Sequence, residues 1–225
     1  MKLANTPWPA VDPGHTLLVP VGSCEQHGPH LPLDTDTRIA NAVAHGTGIP
    51  VAPAIPYGSS GEHEAFPGTV SIGTEALRTV LVEYGRSASR WASRLVFVNG
   101  HGGNASALVA AVRLLRAEGR ELAWFACTSS ANVDAHAGRT ETALLRHIAP
   151  EQVVMSRAEP GNRTPIAELL PQLRAGRLRE LSPNGILGDP AGATAAEGAE
   201  LLAQLVDGLR AAVTRWELDE HGRLR

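Results

Sequence analysis

Three stretches of this 225-residue chain concentrate side chains that can hold metal ions or move protons. The densest runs from Val19 to Thr37, where Glu25 and His27 are two residues apart and Asp36 follows nine residues after His27. In an extended loop, two-residue spacing turns both side chains to one side, and Asp36 falls at the apparent start of a helix. A carboxylate, an imidazole and a second carboxylate form a donor set for one divalent ion, or for a bridged pair. The competing reading is a solvated polar loop in which Asp34 or Asp36 simply caps the helix.

The second stretch, residues 99–104 (NGHGGN), carries His101 directly after an apolar run and directly before a helical one. Phosphate loops are a poor match, since GxxxxGK[ST] and its Lys are missing; so is an esterase oxyanion segment, because the chain has no GxSxG elbow. The third, residues 134–142, places His136 on a turn and Glu141 at a helix opening, one able to ligate while the other handles protons. An acidic residue favouring a helix N-terminus is the ordinary alternative for Glu141. A further loop, residues 57–69, holds Ser60, Glu62 and His63, either as a substrate-facing wall or as residues that hold the loop together. His30 reads as orienting the first loop, and His15, His45, His147 and His221 as surface or packing residues.

The elements that must position these residues are legible as periodicity. Apolar, nearly continuous runs at residues 16–21, 50–55, 94–98 and 122–127 read as strands covered on both faces. Helical spacing occupies residues 39–43, 75–91, 105–118, 141–148 and 195–216, the last opened by a Thr194–Glu197 capping box. Alternating strands and helices predict a single α/β domain over residues 1–225 with a mostly parallel sheet, whose carboxyl edge gathers ligands. All three clusters fall on that edge. The irregular stretch 156–190 is a candidate lid or oligomer contact.

Composition narrows the function classes. With 20 Lys+Arg against 23 Asp+Glu and a net charge of −3, there is no basic stripe for nucleic acid. No apolar run reaches the roughly 20 residues that span a bilayer, and residues 1–12 lack a signal-peptide pattern, so the expected location is cytoplasmic. Cys24 and Cys127 fit neither a metal pair nor a disulfide framework and read as reduced thiols.

The strings GSCEQHGPHLPLDTDT, EHEAFPGT, NGHGGN, DAHAGRTET and GILGDPAGAT, in this order, resemble the signatures of the creatininase family of metal-dependent amidohydrolases. The resemblance implies a three-layer α/β/α sandwich around a small mostly parallel sheet, one or two divalent ions (Zn, Fe(II) or Mn) and a homo-oligomer, often hexameric. Glu25, His27, Asp36 and His101 match the family's metal ligands, with Asp36 bridging. Glu141 matches an acidic position that completes the site, and His136 one that binds substrate or moves a proton. Creatinine-hydrolysing members carry an aromatic residue and a ligating glutamate where this chain has Gly102 and Gly103, which opens space for a different substrate. The chain is most similar to a peptidase branch, marked by Arg139, that releases a modified C-terminal Val-Tyr unit from a ribosomally made precursor peptide of a redox cofactor. Substrate-binding positions on this reading are Ser60, His63, Gly102, Gly103 and Arg139. The alternatives are an amidohydrolase for creatinine or a formylated pyrimidine, and a non-catalytic scaffold of a maturation complex.

Overall fold

The computed structural model describes residues 1–128 and 134–225. Three strands, β1 (Thr16–Val21), β2 (Arg94–Asn99) and β3 (Leu122–Ala126), form a parallel sheet in that order. Five longer helices surround it: α1 (Thr35–Gly46), α2 (Thr74–Ala88), α3 (Ala105–Ala117), α4 (Arg139–Ile148) and, near the C-terminus, Ala195–Arg215. Between α4 and that last helix lie α5 (Ile166–Arg174) and the short α6 (Leu178–Leu181), so Ala195–Arg215 is α7.

Strand side chains alternate between two cores. Leu18, Val96, Val98 and Ala123 pack with α1, α4 and α7 through Ile39, Val43, Leu144, Leu145, Leu205 and Leu209. The opposite set, Leu17, Val19, Leu95, Phe97 and Leu122, packs with α2 and α3 through Leu77, Leu81, Leu108, Val112 and Leu115. Both faces are therefore covered, which is why the strands read as continuous apolar runs and the architecture is an α/β/α sandwich.

The expected fourth strand at 50–55 is replaced by isolated bridges, Leu18 with Val51 and Val21 with Ile55. Pro50, Pro53 and Pro56 lack the N–H groups that a ladder needs, so the segment lies along the free edge of β1 with intermittent hydrogen bonds. Helix α1 begins at Thr35, four residues before the apolar periodicity, and α4 at Arg139, which places Asp36 and Glu141 in first turns. Thr194 caps α7 by accepting from the Glu197 amide, but the Glu197 carboxylate turns to Arg139, so only half of the capping box forms.

Register fixes where chemistry can happen. Val21 pairs with Asn99, and Asn99 with Ala126, so all three strands stop level. The loops that leave them begin side by side on one edge. The stretch 156–190 contributes a wall to that edge: Leu187 forms a bridge with His136, its amide donating to the His136 carbonyl over 2.9 Å.

Candidate metal centre

The loop after β1 is pinned to the start of α1. Ser23 donates its hydroxyl to Asp36 Oδ2 over 2.7 Å, and Thr37 donates to the Ser23 carbonyl. Gly100, the first residue beyond β2, lets that turn approach, since a Cβ there would overlap the Asp36 carbonyl oxygen. Asp36 is thereby held between two histidines. His27 Nε2 lies 3.2 Å from Oδ1, and His101 Nδ1 lies 3.3 Å from Oδ2.

Glu25 is fully buried, and neither of its carboxylate oxygens has a hydrogen-bond partner among the described residues. His101 Nδ1 at 3.2 Å, His63 Nε2 at 3.4 Å and His136 Nδ1 at 3.8 Å all face Glu25 Oε1. Leaving a buried charge without hydrogen bonds is costly unless something of opposite charge is bound. Three groups have converging donor atoms: Glu25, Asp36 and His101; His27, Asp36 and Glu141; and Glu25, His27 and His136. The first two share Asp36 through its two oxygens. This donor mixture of carboxylate oxygens and imidazole nitrogens fits divalent ions of the Zn, Fe(II) or Mn kind.

The hydrogen-bond partners fix the imidazoles. His27 Nδ1 donates to its neighbour's carbonyl, Glu25 O, at 3.1 Å, which leaves Nε2 for the cluster. His136 Nε2 donates to the Gln26 carbonyl at 2.8 Å, which leaves Nδ1 facing Glu25. His63 Nδ1 accepts from the Gln26 side-chain amide at 3.0 Å, and that amide also donates to Gly185 O at 2.9 Å. His30 Nε2 meets Thr142 Oγ1 at 2.8 Å and so ties the first loop to α4.

Charge is strongly redistributed. For His27, burial opposes the cation, but Asp36, Glu141 and Glu25 outweigh it and push the imidazole up to about 10. His101 is likewise raised well above the usual range by Glu25 and Asp36 against the effect of burial. Burial, then the neighbouring His27, holds His136 well below it, and burial takes His63 down to about 4. Burial lifts Glu141 to about 7 against the opposing pull of His27. Asp36 is held well below the carboxylate range because His27 and His101 overcome its desolvation.

Most of the residues singled out in the sequence converge here. Glu25, His27, Asp36, His101 and His136 are all buried, and Glu141 Oε2 lies 3.9 Å from His27 Nε2. Glu141 also accepts from the Ala137 amide, which steadies that residue's left-handed backbone (φ 51°) in the turn before α4. Ser60 and His63 are buried against the cluster, where their contacts with His101 and Gln26 make the loop 57–69 a hydrogen-bonded support. Gly102 faces open space, whereas a Cβ at Gly103 would collide with His101 Nε2 and Ser59 O. Arg139 is not brought to the cluster. Its guanidinium pairs with Glu197 at 2.8 Å and lines a separate cleft of about 540 Å³ with Asp134, Asn162, Arg163 and Asp189.

Sequence reasoning passed over Gln26 and Ser23. The signal for Gln26 was its place between Glu25 and His27: in an extended loop it must point away from them, and it reaches His63 and His136 from behind. Ser23 carries no comparable signal, since its role depends on where α1 begins.

An α/β/α sandwich with buried carboxylates and imidazoles at the carboxyl ends of parallel strands defines a metal-dependent amidohydrolase. The family model for creatininase, described as creatinine amidohydrolase, matches residues 5–213, and the chain belongs to the creatininase family and is a hydrolase acting on amide bonds. It is 58% identical over 219 residues to a mycofactocin precursor peptide peptidase of Mycolicibacterium smegmatis, covering 92% of this chain and 88% of the relative. A protein of the same description from Mycobacterium tuberculosis is 54% identical over 223 residues, covering 93% and 88%. Among solved structures, the manganese form of creatininase superposes with a TM-score of 0.77 at 25% identity, over 96% of this chain and 98% of that one.

Proposed function

We propose that this protein is a cytoplasmic metal-dependent peptidase that releases the modified C-terminal Val-Tyr unit of the mycofactocin precursor peptide. The observation that carries the metal chemistry is buried Glu25, whose two oxygens lack hydrogen-bond partners among the described residues while three imidazoles face one of them. The substrate assignment rests on similarity of 54–58% across about nine-tenths of the chain to peptidases of that description. Residues 1–225 act as one catalytic unit, and a homo-oligomer of hexameric type is carried over from the family resemblance alone.

In this reading Glu25, Asp36 and His101 would hold one ion, and His27, Asp36 and Glu141 a second of the Zn, Fe(II) or Mn class. Divalent ions so held would supply Lewis-acid chemistry, lowering the pKa of water and polarising the scissile carbonyl. The protein residues do the remaining work. His136, buried with Nδ1 turned toward Glu25, takes a proton from the attacking water and passes it to the leaving amine nitrogen. Glu141, when not engaged as a ligand, is the second group able to exchange a proton there. Ser60 and His63 form one wall of the approach, and Gly102 leaves its mouth free of a side chain for an extended chain, whereas Gly103 packs against His101 and Ser59 and opens no space. Arg139, in the neighbouring cleft, meets the peptide away from the scissile bond.

The test is mass spectrometry of metal-loaded protein with precursor peptide carrying the modified Val-Tyr end, beside a chelated control. Release of the small C-terminal product in the loaded sample alone is the expected result. No cleavage with metal bound would move the substrate to a small cyclic amide or formamide.

A further inference from the structure

Glu62 has no place in the roles assigned so far, yet its surroundings are unusual for a carboxylate. It sits in a one-turn helix, Gly61–His63, with only 24% of its side chain exposed. Among the described residues its charged neighbours within 4 Å are histidines and not Lys or Arg: His101 Nε2 at 3.5 Å and His63 Nε2 at 3.9 Å. A carboxylate withdrawn from water is costly unless a partner of opposite charge faces it, and here only imidazoles do.

The neighbour is His101. Its Nδ1 faces Glu25 Oε1 and Asp36 Oδ2, so coordination uses the Nδ1 lone pair and the ring proton must sit on Nε2. On that side Nε2 meets Ser59 O at 3.0 Å, Ser60 Oγ at 3.4 Å and Glu62 Oε1 at 3.5 Å. The Ser59 carbonyl takes the proton, and Glu62 sets a negative charge behind it. Gly103 makes the approach possible. A Cβ there would lie 2.8 Å from Glu62 Oε1 and collide with both His101 Nε2 and Ser59 O, while the adjacent Gly102 has empty space around it.

We propose that Glu62 is a positioning residue for the metal ligand His101, setting a negative charge behind the Nε2–H that Ser59 O accepts and so raising the basicity of Nδ1. This rests on His101 being a ligand, as in the function proposed above. Groups hydrogen-bonded behind a ligating imidazole change metal affinity by about 10–100-fold when removed, which bounds the effect of Glu62 from above.

The experiment is a Zn²⁺ affinity measurement by competition with a chromophoric chelator, on the parent, Glu62→Gln, Glu62→Ala, His101→Ala and the double variant Glu62→Ala/His101→Ala. Circular dichroism checks that each folds, and Glu62→Gln, nearly isosteric, keeps the question answerable if Glu62→Ala does not. Expected are a roughly 10-fold loss in Glu62→Gln, a larger one up to about 100-fold in Glu62→Ala, and almost no added loss on the His101→Ala background. The Co²⁺-substituted Glu62→Gln protein should also show a displaced visible absorption band. Parent affinity in the Glu62 variants, or losses that simply add in the double variant, would overturn the proposal. Parent affinity in His101→Ala would overturn it together with the ligand reading beneath it, and substrate is absent throughout, so failure of the peptidase assignment is seen separately.

Discussion

Removing the metal should loosen the fold as well as stop turnover, and the size of the effect follows from Glu25. Its carboxylate is fully buried with both oxygens lacking hydrogen-bond partners among the described residues, and Asp36 is buried beside it. A buried acceptor left unsatisfied costs about 1–3 kcal/mol, more if charged, but the imidazoles of His63 and His101 at 3.4 and 3.2 Å recover part of that. A net coupling of about 3 kcal/mol is therefore reasonable, and linkage delivers about 2.7–4.1 kcal/mol at free metal 100–1,000 times Kd. For a chain of this length each kcal/mol moves Tm by about 2–4 °C, so loaded and chelated protein should differ by about 6–12 °C. Differential scanning calorimetry with elemental analysis of the same samples measures it. Asp36→Asn, which weakens both groups that share Asp36, should lose most of the difference. Equal melting temperatures for the chelated parent and a parent shown to contain metal would refute the coupling.

Other consequences follow from the same geometry. In the chelated protein His27 and His101 are raised above the unfolded value near 6.5, so their contribution is complete below that pH and lost as pH climbs toward about 10. Its Tm should fall from pH 6.5 to 9, at up to about 1.4 kcal/mol per pH unit for each extra proton held, whereas the loaded protein, whose ligands must be deprotonated, should hold or gain stability; parallel slopes would contradict this. Gly103→Ala should cost about 10-fold or more in kcat/KM, through displacement of His101 and Ser59, while Gly102→Ala stays within about 2-fold. Similar losses in steady-state assays of the two would show that the close packing at Gly103 is unimportant. Phe97→Ala, at a fully buried position between β2 and the α2–α3 layer, should cost about 3–5 kcal/mol in urea unfolding, and a loss under about 1 kcal/mol would mean that this core is not packed as described.

Part of this architecture is legible in the amino-acid sequence because it depends on one-dimensional pattern. The strands β1, β2 and β3 are short apolar runs, and a helix covering each face is what such runs require. The run at 50–55 carries the same apolar signal but alternates it with prolines, so composition suggests a strand where hydrogen-bonding capacity allows only bridges. Helix starts at Thr35 and Arg139 precede the apolar periodicity because first turns here are set by polar contacts, Ser23 with Asp36 and Ala137 with Glu141, and not by buried stripes. Arg139 shows the limit in the other direction, since a motif neighbour of His136 turns to Glu197 on α7.

The location of the cluster and the orientation of its rings are therefore separate problems. Location follows from topology: parallel strands that end level at Val21, Asn99 and Ala126 must launch their loops together, so residues just beyond them meet whatever the loop details. Orientation depends on which nitrogen of each imidazole finds an acceptor. Those acceptors are Glu25 O for His27, Gln26 O for His136 and Ser59 O for His101, all backbone carbonyls. A backbone carbonyl has no letter of its own in a sequence, so the ligands could be named from residue types while the atoms that point them could not.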